Sequence, residues 1–96
     1  MAYTVFFVSE VVTEGDIKNV QKAKLKGVIE QLEQTPEVGK PLTDDLVGWR
    51  STRIGGSDGR VVYRIVEETK RVEVVAMGRR RASEVYNLAS SRVSET

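Results

Sequence analysis

Residues 59–86 read GRVVYRIVEETKRVEVVAMGRRRASEVY, and this stretch decides the fold. From Arg60 to Val66 the side chains alternate. Val61, Tyr63 and Ile65 fall on one side, and Arg60, Val62 and Arg64 on the other, which predicts a strand with two different faces. Val72–Met77 is a second β-branched run, apolar enough to lie centrally in a sheet. Glu67–Lys70 turns the chain between the two. Ser83 is placed to cap a short helix in which Val85, Leu88 and Ala89 face inward. Arginines bound both runs: Arg60 opens the first, and Arg79, Arg80 and Arg81 close the second. Tyr86 follows where the helix begins. Several permanent cations and one phenol are therefore expected on a single surface. A guanidinium grips phosphate with a planar fork. A phenol beside positive charge can take part in proton transfer. The combination points to RNA chemistry that uses neither metal nor histidine.

Upstream, Trp49–Ile54 predicts a further strand, joined to the next by the glycine-rich hairpin Gly55–Gly59. Residues 37–48 form a connector anchored by Leu42 and Leu46. Asp16 is suited to cap a helix whose apolar positions, Ile17, Val20, Leu25, Val28, Ile29 and Leu32, recur at near-helical spacing. Gly27 weakens that helix by roughly 1 kcal/mol relative to alanine, and a close approach to the sheet is one reason for it to be there. Pro36 ends the helix. Tyr3–Val8 predicts the first strand, and residues 9–15 read as either a loop or a first helical turn. The order is strand, helix, three strands joined by short turns, and a helix. It predicts an α+β domain over residues 1–96: a four-stranded antiparallel sheet, an N-terminal helix or helical hairpin on one face, and a short C-terminal helix. The opposite face is expected to be free to present the arginines.

Composition narrows the chemistry. The 96 residues suit one small domain, 40% hydrophobic and 30% charged. There is no cysteine and no histidine, which removes disulfides, thiolate nucleophiles, and the commonest general base and metal ligand. The adjacent acids Asp44–Asp45 and Glu67–Glu68 fall in turns, so no metal site and no cofactor are expected. The Gly55–Gly59 loop joins two strands and lacks the lysine of a phosphate-binding loop. No apolar run is long enough to span a bilayer, and the N-terminus lacks a basic-then-apolar leader, so a cytoplasmic protein without membrane contact is expected. The net charge of +1 hides an asymmetry. Residues 1–48 carry five lysines against eight acids, whereas residues 49–96 carry nine arginines and one lysine against six acids. Every arginine lies in the second half. A solvated face is the ordinary reading of such a bias. Arginine in place of lysine, clustered at strand ends, points instead to a polyanionic partner. Trp49 reads as core or rim more readily than as a base-stacking platform.

The segment 42–93 resembles the RelE/ParE superfamily of type II toxins. The resemblance is carried by Leu46–Ile54 (LVGWRSTRI), Gly59–Ile65 (GRVVYRI), the valine-rich strand ending in Gly78–Arg80 (GRR), and Ser83–Tyr86 (SEVY). The N-terminal strand, helix and Pro36 match in order and length. The closer match is to the RelE branch, whose members cut messenger RNA in the ribosomal A site. The resemblance implies catalytic roles for Arg60, Arg80 and Tyr86, with Arg53 at the place of one of two second-strand lysines. Ser51 occupies the place of the other. Arg50, Ser51, Arg79 and Arg81 are then implied RNA contacts. The resemblance also implies a cognate antitoxin as partner, the ribosome with message in its A site, and operator DNA bound by the complex through the antitoxin. Two other readings stand beside the nuclease: a ParE-like toxin that inhibits DNA gyrase without cutting RNA, and a catalytically inactive member, for which Ser51 is the motive.

Overall fold

The computed structural model describes residues 2–13, 22–54, 59–79 and 84–94. Five strands form one sheet: β1 (Thr4–Phe7), β2 (Lys40–Pro41), β3 (Arg50–Arg53), β4 (Gly59–Val66) and β5 (Arg71–Arg79), in the order β1-β5-β4-β3-β2. Three α-helices are described: α1 (Ser9–Thr13), α2 (Lys22–Gln34) and α3 (Glu84–Ser94). The expected meander β3-β4-β5 is present and antiparallel. The α+β class holds, but the expected four antiparallel strands become five in a mixed sheet. β1 pairs parallel with β5, Thr4 opposite Arg71. Hairpin turns force antiparallel pairing, whereas β1 reaches the sheet through a helical crossover, which permits the parallel sense. The extra strand, β2, is two exposed residues antiparallel to β3. It is too short to show a period, and its Pro41 is tolerated because this is an edge.

The sheet is covered on both faces, which corrects the expectation of one free face. On one side α1 and α2 pack Val11, Val28 and Leu32 against Val61, Tyr63, Val72, Val74 and Met77. On the other, α3 packs Val85 and Ala89 against Val62, Val75, Ala76 and Leu46. The alternation read from β4 is the reason: it supplies apolar side chains to both layers. Residues 14–21 and 55–58 lie outside the described residues, and with them the Asp16 cap, Ile17, Val20 and most of the Gly55–Gly59 turn. Gly27 does not approach the sheet. It is exposed in α2, and an added Cβ would meet open space. Gly27→Ala should therefore stabilise the fold by about 0.5–1 kcal/mol through helix propensity alone. The thermal midpoint checks this.

A β-bulge shapes the far side. Val62 pairs with Ala76, but the next residue, Tyr63, pairs with Val74, so Val75 is extra. Val75 and Ala76 thereby both face α3, which explains why 74–77 breaks strict alternation. A bulged residue leaves the ladder, and the Val75 carbonyl is taken instead by Arg92, whose Nη1 donates to it at 2.8 Å. Arg92 is buried, and its Nη2 also reaches the Glu10 carbonyl at 3.4 Å, tying α3 to α1. Arg92→Ala would strand the Val75 carbonyl and open a cavity. The expected cost is about 2–4 kcal/mol, measured by denaturant unfolding.

Candidate active site

The parity of β3 sorts its side chains. Arg50 and Thr52 face α2, whereas Ser51 and Arg53 face α3. Arg50 lies opposite Tyr63, and its Nη1 donates to the carbonyls of Gly39 at 2.8 Å and Glu37 at 3.3 Å. The Tyr63 hydroxyl donates to the Pro36 carbonyl at 2.6 Å and accepts the Gly39 N–H at 2.9 Å. Burial pushes the Tyr63 phenol above its ordinary value, outweighing the lowering by Gly39 and Arg50. Arg50 and Tyr63 thus pin the connector beneath the sheet. Arg50 thereby lies on the opposite face of β3 from Ser51 and Arg53.

On the α3 face, Arg53 stands directly opposite Arg60. The Ile54 N–H donates to the Gly59 carbonyl at 3.0 Å, so 54 and 59 form a hydrogen-bonded pair. Arg53 and Arg60 are then a non-hydrogen-bonded pair, the closer kind, with Cα atoms typically about 4.5 Å apart. Like charges so placed oppose folding. Arg53 is exposed and Arg60 half-buried, its Nη1 donating to the Gly59 carbonyl at 3.2 Å. Among the described residues neither is ion-paired. Other arginines are engaged: Arg64 and Arg71 share Glu73 at 2.8 Å and 3.7 Å, Arg64 also covering the half-buried Trp49 ring, and Arg92 is buried. The Arg53/Arg60 pair is therefore a pair of facing guanidinium side chains with no ion-pair partner among the described residues, suited to an anion.

The next rung on this face, about 7 Å along the strands, is Ser51 opposite Val62. There α3 delivers Tyr86. Its hydroxyl lies 3.2 Å from the Ser51 hydroxyl, and either oxygen can donate. Gly78, which pairs with Arg60, lies beneath the first turn of α3, where an added Cβ would meet Val85 Cβ at an ordinary contact distance of 3.7 Å. At the other flank the Ser90 hydroxyl donates to Asp45 at 3.3 Å. Of the expected residues, the structure brings together Ser51, Arg53, Arg60 and Tyr86. Arg79 ends β5 with its backbone opposite Gly59. Arg80, Arg81 and Ser83 lie outside the described residues.

This arrangement offers a paired cation for a phosphate and a phenol on the adjoining rung. Comparisons with known proteins bear on the family and the fold. The family model describing the ParE toxin of the type II toxin–antitoxin system parDE matches residues 14–83. A protein of Escherichia coli described as a RelE-like toxin is 44% identical over 41 residues, 43% of each chain, so the match spans less than half of that relative. The toxin–antitoxin complex RelBE2 of Mycobacterium tuberculosis contains a chain 30% identical, with TM-score 0.65 over 83% of this chain and 100% of that one. A mutant of the E. coli toxin RelE in its free state shares the fold at 24% identity, with TM-score 0.72 over 96% of this chain and 98% of that one. The same mutant in complex with a peptide of the antitoxin RelB is similar at 23% identity and TM-score 0.66, over 93% of this chain and 95% of that one. With a family model matched over most of its length and a fold shared with these toxins, the chain belongs to the RelE/ParE superfamily of type II toxin–antitoxin toxins.

Proposed function

We propose that this toxin is a messenger RNA endonuclease acting in the cytoplasm on message held in the ribosomal A site. The supporting observation is the placement of the Tyr86 phenol one rung from the Arg53/Arg60 pair. In the proposed reaction the 2′-hydroxyl attacks the adjacent phosphorus. An O–P bond forms, the bond from phosphorus to the 5′-oxygen breaks, and one proton moves from the nucleophile while another reaches the leaving oxygen. The products are a 2′,3′-cyclic phosphate and a 5′-hydroxyl. Arg53 and Arg60 stabilise the charge on the phosphorane-like transition state, and Tyr86 is the proton-transfer group. Arg80, by resemblance, adds to the charge, and Arg79 and Arg81 contact RNA or the antitoxin. A cognate antitoxin would block this face, and the complex would bind operator DNA through the antitoxin. The structures of RelBE2 and of RelE with its RelB peptide hold such toxin–antitoxin pairs.

A second reading, inhibition of DNA gyrase without RNA cleavage, is favoured by the ParE description of the matching family. Inducing the toxin and mapping new RNA 5′ ends against ribosome positions separates the readings. Cuts within A-site codons are expected. Gyrase-linked DNA breaks with intact message would select the second reading, and neither lesion would select the inactive one.

A further inference from the structure

We infer that Ser51 is the positioning residue for the Tyr86 phenol, taking over with a neutral hydroxyl a place that the family resemblance gives to a cation. The inference rests on the reading of Tyr86 as the proton-transfer group. Ser51 is 8% exposed, on a strand held by ladder pairing on both sides, to Lys40 and to Val62. Its side chain has one rotatable carbon bond, so the hydroxyl is fixed at little entropic cost. Tyr86 needs such an anchor. The buried seam of α3 runs through Val85, Ala89 and Arg92, and Tyr86 sits one residue, about 100°, round the helix from Val85. Packing of α3 fixes the backbone of Tyr86 and sets its ring, partly buried, against the cluster on this face, while the hydroxyl at the ring's tip has its contact with Ser51. The 3.2 Å contact, made between residues 35 apart in sequence, supplies the direction.

The chemistry favours a hydroxyl for this task. An ammonium only donates hydrogen bonds, whereas a serine hydroxyl both donates and accepts. Ser51 can accept from the phenol and then, by rotating, donate to it once the phenolic proton has gone. The contact survives both halves of a proton transfer. Labour is thereby divided: the Arg53/Arg60 rung carries the charge, and the Ser51 rung holds the proton carrier in register with it.

The test is single-turnover cleavage of ribosome-bound message, with thermal midpoints on the same preparations. Ser51→Ala is expected to lower the rate at saturating ribosome roughly 3–10-fold, the worth of one net hydrogen bond, with the half-saturating ribosome concentration unchanged and the midpoint lower by a few degrees at most, the protein staying folded at the assay temperature. Ser51→Thr, which restores the hydroxyl on a strand-compatible side chain, should recover most of the rate. In a Tyr86→Phe background Ser51→Ala should cause no further loss. Cleavage by Ser51→Ala within about twofold of wild type, additive losses in the double variant, or a rate that Ser51→Thr does not recover would each overturn the inference. If Tyr86→Phe is slow while Ser51→Ala is not, the positioning role alone fails. If Tyr86→Phe cuts normally, the proposed role of Tyr86 fails and takes this inference with it.

Discussion

Arg60→Ala is expected to abolish growth arrest at matched expression while leaving a folded protein. Two considerations set the size of the effect. Arg60 pairs across the ladder with Arg53 on the same face, which lets both side chains reach one phosphate. Removing one preorganised donor to transition-state charge commonly costs about 10²–10³-fold in rate. Stability should not fall with it. Among the described residues the Arg60 side chain donates to its neighbour's carbonyl at 3.2 Å, and its removal relieves a like-charge pair. The thermal midpoint should hold or rise slightly. Arg64→Ala is the matched control, because Arg64 is engaged with Glu73 and Trp49 and should remain toxic when replaced. Full toxicity of Arg60→Ala would remove Arg60 from the chemistry.

Tyr86→Phe should lose roughly 10²–10⁴-fold in cleavage with near-normal stability. The substitution keeps the ring that packs beside Leu46, Val62 and Val85, and deletes only the oxygen that meets Ser51. If Tyr86 served only to pack α3, the reverse would be seen: a changed midpoint at most, with cutting intact. Both quantities on one preparation separate the roles.

Much of this was legible in the sequence because period two is a strong signal. Val61 and Tyr63 against Arg60, Val62 and Arg64 gave β4 both its strand character and its two faces. The same parity places Arg50 and Arg53 on opposite faces of β3. Other features had no local signature. β2 is two residues, one of them proline. The parallel partner of β1 lies some seventy residues away, where only the closed sheet decides direction. The Val75 bulge looks like an ordinary apolar run until its register is known, and Arg92 looks like any cation in the last turn of a helix. It is buried because a bulged carbonyl needs a donor. The Ser51–Tyr86 contact joins two segments 35 residues apart, whose proximity depends on how α3 crosses the sheet.

The central claim is that the Arg53/Arg60 rung and the Tyr86 phenol form one RNA-cleaving site. The most direct measurement is reconstituted cleavage: purified toxin, programmed bacterial ribosomes with a defined codon in the A site, and mapping of the cut ends. The account predicts a cut within the A-site codon leaving a 2′,3′-cyclic phosphate and a 5′-hydroxyl, with Arg60→Ala and Tyr86→Phe each slower by two orders of magnitude or more. Message left intact by the wild-type chain, or cut equally fast by both variants, would contradict it.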